Sequence, residues 1–504
     1  MGSGGENMNK RYHRFLETTW HLLIFVFFLV WFLQIHPLSV YDGDDWLYVY
    51  YSRKALPLWN DWNPSRVFPE IFMPLCSSVA AYVLAPLMGD YLHAMSLMHG
   101  LVVSLFLALY FWSFSRMMKR LFSLSSLGTI FSSALFLIAH FVVLRRYESD
   151  NLYLFHCWDL TCYYYYLIPA VINCCLVMWM LGNPHFSEFL DSGSPEKKGL
   201  LFLVIYLAIF SNLPDSGILA AYAGAALLGS ILARVRKKTG RSAKENTFFI
   251  VVLILWAISA AFELSGGRAR SGIQDSNPLV FSLKSAAYCL IQLFCRCNLT
   301  FLAVSMVIIG IAWILLILSR CNTPEDRRFL SLLRLCLLSI AAIGIYTLLL
   351  CAVVDYSYIN RSEYLFGLVF YLFLLLMLAF GYLLQKQPRI FFLIPAMLCI
   401  LLMECNTVDA TFLESNHSEV RPALCYEITQ DMIEQVLQAE QEGLDTMVLK
   451  VPVWTQSGNW PHPDYMGNRI ADSLYKHGVI HRKIDVVPVP SPECNEKYGL
   501  PLPD

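Results

Sequence analysis

Apolar residues in this chain fall in blocks long enough to cross a bilayer, and that pattern restricts the fold more than any other feature. A membrane-spanning helix takes about 20 residues. Stretches of this kind cover 18–36, 93–115, 122–144, 163–182, 199–213, 217–234, 247–264, 298–319, 330–354, 364–384 and 390–405. About eleven spans follow by that length criterion. The balance of residues agrees: 57% are hydrophobic and only 15% charged, where soluble domains carry about 25% charged residues. Mean hydropathy is +0.52. The expected fold class is an α-helical polytopic membrane protein held in a lipid bilayer. A formal net charge of -1 gives no reason to expect a nucleic-acid partner. The first seven residues, MGSGGEN, read as an expression scar ahead of Met8. The stretch 18–36 is too long for the apolar region of a signal peptide and reads as a retained anchor.

The positive-inside rule sets the sense of the spans. Basic clusters stand at Lys10/Arg11/Arg14, Arg116/Lys119/Arg120, Lys197/Lys198, Arg234 to Lys244, Arg320/Arg327/Arg328 and Lys386/Arg389. With the N-terminus cytoplasmic, every cluster lands inside, and an odd number of spans puts residues 406–504 outside. Residues 71–89 are apolar enough to span, but another crossing would turn all later clusters outward. They are therefore expected to lie in, or dip into, the outer interface. The expected domains are a cytoplasmic N-terminus over 1–17, a membrane domain over 18–405 with an outward first loop over 37–92, and an extracytoplasmic tail over 406–504. Helical spacing over 427–443, a strand at 446–452, a helix at 468–478 and a strand at 483–490 make the tail a small α/β domain. It is too small to bury itself well alone and is expected to pack on the membrane domain. The 15 cysteines form no CxxC pair and no Cys/His metal spacing, so no metal site and no disulfide pairing is assigned.

The most pointed chemical feature is Asp42, Asp44 and Asp45 in YDGDDWLY, directly after the first span. Crowded carboxylates at a membrane surface repel and lose hydration, so they persist cheaply only beside cations, a metal or a substrate. An isolated Asp-Asp pair is as often a solvated loop. Here it shares the outer side with Arg53, Lys54, Arg66, Arg145, Arg146, Arg268, Arg270, Arg296 and Arg361. Each of these taken singly is more often a structural ion pair or a headgroup contact. Together they suit an anionic, lipid-linked ligand, because guanidinium matches phosphate through paired hydrogen bonds. Gly266 and Gly267, in ELSGGRARSG, let backbone N–H groups approach a phosphate that Arg268 neutralises. Trp158 and Tyr163, in HCWDLTCYYYYLIP, are candidates for stacking on sugar, against the commoner reading of an aromatic belt. Asp215, in SNLPDSG, is a candidate ligand or only a helix cap.

This order of features resembles the GT-C superfamily of polytopic glycosyltransferases, whose acidic motif stands in the first outward loop, as DGDDW does at 42–46. The likeness is greatest to bacterial enzymes that decorate surface polysaccharides, including serotype-converting O-antigen glucosyltransferases of lipopolysaccharide. Their aromatic loop, Gly-rich G-x-R loop and outward α/β tail correspond to Trp158 to Pro169, to Gly266/Gly267/Arg268, and to residues 406–504. NPSRVFPE at 63–70 adds Arg66 and Glu70.

The resemblance implies transfer of a sugar, glucose by the likeness, from a polyprenyl-phosphate donor to a hydroxyl of a lipid-linked or surface glycan outside the cytoplasm. Asp44 or Asp45, with Asp42 beside them, would supply the general base. Arg268, Arg66 and Arg270 would stabilise the leaving phosphate. One displacement of this kind inverts the anomeric carbon. Glu70, Trp158, Tyr163 and Asp215 would contact sugar or acceptor, as would Trp454 and Trp460 in the tail with His481, Arg482 and Lys483. The Asp cluster has the chemistry for one divalent cation, without an assigned metal role. A multi-pass place in a bacterial inner membrane follows, with a flippase and a donor-synthesising enzyme acting upstream. A polysaccharide polymerase or ligase would instead lean on Arg and His of a late outward loop. A transporter or flippase would carry charge at mid-membrane and broken, repeated helices.

Overall fold

The computed structural model describes residues 3–53, 64–145, 153–157, 159–236, 240–265, 279–405, 421–453 and 466–502. The chain begins with α1 (Ser3–Val30), which runs on through a π-helical turn at Trp31–Ile35. There follow a short α2 (Gly43–Tyr48), α3 (Val67–Met88), α4 (Tyr91–Phe122), α5 (Ser126–Val142) and α6 (Leu160–Leu181). Next come α7 (Phe186–Ser192), α8 (Pro195–Ile209), α9 (Leu213–Val235), α10 (Ala243–Leu264), α11 (Leu279–Arg296) and α12 (Leu299–Leu318). The membrane body closes with α13 (Pro324–Val354), α14 (Ser362–Lys386) and α15 (Ile394–Glu404). By length and composition, nine helices among the described residues are apolar enough to cross a membrane: α1, α3, α4, α6, α9, α10, α12, α13 and α14. The expected spans 122–144, 199–213 and 390–405 hold the shorter helices α5, α8 and α15, of 17, 15 and 11 residues.

Contacts fix the relative sense of the helices. Glu17 pairs with Lys119 at 2.6 Å, Phe28 stacks on Phe111, and Leu33 meets Gly100, so α1 and α4 run antiparallel. His36 and Tyr91 therefore lie towards one face of the body. Because the chain leaves α1 and enters α4 on that same face, α3 does not carry it to the other. Instead α3 forms a hairpin with α4, with Ser77 3.3 Å from His99 and Phe72 against Phe106. That geometry is in keeping with 71–89 as something other than a span, although length and apolarity alone would admit it.

Helix α6 runs parallel to α4: His99 meets Tyr164 at one end and Met117 meets Gly182 at the other. In lipid no hydrophobic force favours helix over tail, so close packing and small residues carry association. A methyl group added at Gly217 would stand 2.2 Å from the Tyr346 ring, and one at Gly381 2.4 Å from Phe122. One departure from expectation lies within 265–297, anticipated as an outward loop. Its second half forms α11, which buries Ala286 and Leu293 and leaves Tyr288, Ile291 and Phe294 exposed.

The tail comprises α16 (Pro422–Gln441), β1 (Thr446–Val451), α17 (Arg469–Lys476), β2 (Asp485–Pro490) and α18 (Pro492–Tyr498). The strands pair in parallel from Thr446↔Asp485 to Val451↔Pro490. Parallel strands require a crossover between them, and the segment carrying α17 supplies it. Leu449, Val451, Ile470, Leu474 and Val486 are buried. The tail is docked on the membrane body: Ser473 donates to the Trp46 carbonyl, Tyr82 donates to the Lys476 carbonyl, and Tyr91 Oη lies 2.7 Å from His477 Nδ1.

Candidate functional site

Helix α2 is only six residues long and is held by its own acids. Asp42 caps it, accepting from the Asp44 N–H at 2.8 Å, while Asp45 reaches back to the Asp42 N–H at 3.4 Å. This reciprocal cap satisfies donors that a helix start leaves unpaired. Successive residues on a helix diverge, so Asp44 and Asp45 face different surroundings. Asp45 is fully buried and receives the Thr161 N–H at 2.7 Å, the Thr161 hydroxyl at 2.6 Å and the Leu160 N–H at 3.3 Å. It anchors the start of α6. Asp44 turns instead to a cavity.

That cavity, about 530 Å³, opens where α2, α6, α9, α10 and α13 approach the tail face. Its walls carry Asp44, Asp159, Arg66, Glu263 and Arg361, with Tyr48, Tyr165, Tyr166, Tyr358 and Tyr364 among them. Arg66 adopts a left-handed backbone (φ 59) and its N–H donates to the Phe210 carbonyl at 2.5 Å. Its guanidinium grips Glu263 through two bonds, Nε to Oε1 at 3.1 Å and Nη2 to Oε2 at 2.5 Å. Arg361 lies over the Tyr358 ring at 4.4 Å. From the tail, Arg469 Nη1 stands 3.3 Å from Asp44 Oδ1.

Asp159 is a residue that sequence reasoning missed, as are Glu263 on the cavity wall and Arg469 beside Asp44. Oδ1 of Asp159 accepts from the Cys162 N–H at 2.6 Å, capping α6, and the same side chain lines the cavity. Burial, and then the neighbouring Asp42, push this carboxyl up to about 7. Burial also raises Asp45, and the charge of Asp159 adds to it. A carboxyl held near neutrality is suited to proton chemistry. The signal was present in HCWDLTC, where an Asp two residues before a Thr opens an apolar helix.

Comparisons with protein-family models, curated proteins and solved structures found no match.

Of the other expected site residues, Arg66 lines the cavity but is engaged by Glu263. Glu70 does not line it and pairs with Arg53 at 3.2 Å. Tyr163 is buried against Phe32 and His36, away from the cavity. Asp215 is buried on α9 near Glu363 and is turned from the cavity that Asn212, Leu213 and Pro214 line. Arg482 is committed within the tail to the Leu444 carbonyl at 2.8 Å, and Lys483 lies over Tyr475. Trp158, Gly266, Gly267, Arg268, Arg270, Trp454 and Trp460 lie outside the described residues. Among the described residues, no group of three or more His, Cys, Asp or Glu side chains is gathered as a metal ligand set.

Proposed function

We propose that this protein is a membrane glycosyltransferase of GT-C type that moves a sugar from a polyprenyl-phosphate donor to a glycan hydroxyl. The observation that carries this reading is the meeting, in one tyrosine-lined cavity, of Asp44 and Asp159 with Arg66 and Arg361. Carboxylates suit an attacking hydroxyl, guanidinium suits a phosphate, and tyrosine faces suit a sugar ring.

In this mechanism the acceptor oxygen attacks the anomeric carbon as the bond from that carbon to the donor phosphate oxygen breaks. The phosphate leaves with the bonding electron pair, and its charge is met by Arg361 on the cavity wall; Arg268 is kept for the same charge on the sequence pattern alone. Asp44, which faces the cavity beside Arg469, takes the hydroxyl proton. Asp159 orients the same hydroxyl. A single displacement inverts the sugar. Arg66 supports the phosphate side through its pair with Glu263 and is not free to move far.

The same proposal places the chain in a bacterial inner membrane with eleven crossings, leaving out α3 and counting α5, α8 and α15. The cavity and the tail then face the extracytoplasmic side, downstream of a donor-synthesising enzyme and a flippase. A polymerase or ligase, or a flippase for lipid-linked glycan, remains the competing function.

Reconstitution tests it. Purified protein in liposomes, given polyprenyl-phosphate glucose and a lipid-linked glycan, is expected to release polyprenyl phosphate and glycosylate the acceptor. Movement of the donor across the bilayer with no sugar transfer would favour a flippase and contradict this reading.

A further inference from the structure

We infer that the face opposite the tail carries a binding site for the phosphate headgroup of an anionic phospholipid, between α1, α4 and α5. This site is separate from the cavity above and stands whether or not the proposed activity does. A cleft of about 690 Å³ opens there, lined by Arg14, Glu17 and His21 from α1 and by Ser115, Arg116 and Arg120 from α4. Its charge is one-sided. Glu17 is already engaged by Lys119 and by the Ser126 hydroxyl, each at 2.6 Å. Among the described residues no carboxylate forms an ion pair with Arg14, Arg116 or Arg120. Guanidiniums gathered in one cleft repel each other, and an anion relieves that repulsion.

A second observation is independent of charge. Ser115, on the cleft wall, is only 3% exposed, and its hydroxyl has no hydrogen-bond partner. A buried hydroxyl without a partner is costly, and a phosphate oxygen in the cleft would satisfy it. Topogenic charge alone, which needs only basic residues near a span, accounts for neither the cleft nor this hydroxyl.

The adjoining surface argues for a lipid rather than a free phosphate. Leu105, Leu109 and Trp112 are 52%, 43% and 43% exposed, and they lead down one face of α4 to Arg116. Their spacing puts all four residues on one helical stripe. Arg116 lies over the Trp112 ring at 5.0 Å, so the guanidinium is held where the apolar stripe meets the cleft. Acyl chains along the stripe would place a headgroup phosphate among Arg14, Arg116 and Arg120.

Native mass spectrometry of the full chain, released from nanodiscs of phosphatidylcholine and phosphatidylglycerol, tests this. The wild type is expected to keep phosphatidylglycerol in preference to phosphatidylcholine. The double variant Arg116→Gln/Arg120→Gln is expected to lose about tenfold or more of that retention, two charge-assisted contacts being removed. Arg14→Gln, on an exposed turn of α1, is expected to weaken it as well, which guards against misfolding of the double variant. Arg234→Gln/Arg236→Gln, a basic pair outside the cleft, is expected to change nothing. Unchanged retention in both the double variant and Arg14→Gln, or equal retention of the two lipids, would overturn the inference. Glycerol 3-phosphate displacing the lipid at comparable concentration would overturn the lipid source.

Discussion

Arg469 of the tail and Asp44 of the first loop stand 3.3 Å apart, nitrogen to oxygen, although 425 residues separate them in sequence. Asp44 also lines the cavity, so the pair makes the tail a part of the site. The two side chains are 31% and 26% exposed, and a partly exposed pair of this kind contributes about 1 kcal/mol or less to stability. Arg469→Gln is therefore expected to leave thermal unfolding in detergent nearly unchanged while lowering kcat/KM by about tenfold or more. Equal kcat/KM in the variant would separate the tail from the chemistry.

Asp45→Asn and Asp44→Asn are expected to fail in different ways. The carboxylate of Asp45 receives three donors around Thr161 and is fully buried. Its amide would present an N–H₂ group to some of those donors, costing about 1–3 kcal/mol. A thermal melt in detergent should show that loss for Asp45→Asn and little for Asp44→Asn.

Why adjacent acids divide their labour was not legible in YDGDDWLY. The motif located acids beside the cavity, but which one faces it depends on Thr161, 116 residues further on. Asp159 was hidden in a segment read for its aromatics, and Glu263 at the end of an apolar run. Arg469 sits in a tail helix whose docking no local pattern announces. The helices themselves were far more readable, because a lipid solvent leaves the chain few ways to satisfy its backbone. Expected spans and observed helices differ most at α8 and α11, where apolar runs are short or interrupted by polar residues. The two strands of the tail and its helices α16 and α17 followed from their periodicity, whereas α18 was not anticipated.

The Asp159 carboxyl, raised to about 7 by burial and by Asp42, gives a signed dependence on pH. Its folded value lies above its ordinary one, so the unfolded chain loses this proton at lower pH than the folded chain does. Stability from this group is thus expected to fall as pH rises from about 4 to 7. Asp159→Asn should flatten that slope in melts taken across the range. In turnover, the wild type should gain activity as pH passes about 7, and Asp159→Asn should be weaker but lack that step.

The pair Arg66–Glu263 offers a test of packing at the cavity wall. The Glu263 side chain is only 7% exposed, but that of Arg66 is 32% exposed; removing one partner of a fully buried ion pair costs about 3–5 kcal/mol, and solvent at Arg66 lowers that figure. Arg66→Leu is expected to lose part of it in a thermal melt. The double variant Arg66→Leu/Glu263→Leu should recover a good part of it, giving a coupling energy on the order of 1–3 kcal/mol. Additive losses would show that the two residues act separately.

The central claim is that Asp44 takes a proton from an attacking hydroxyl in this cavity. Its most direct test is sugar transfer from polyprenyl-phosphate glucose by wild type and Asp44→Asn, with donor binding measured on the same samples. The account predicts that Asp44→Asn binds donor as the wild type does but transfers it about 10²–10⁴-fold more slowly. Transfer by Asp44→Asn at the wild-type rate would contradict it.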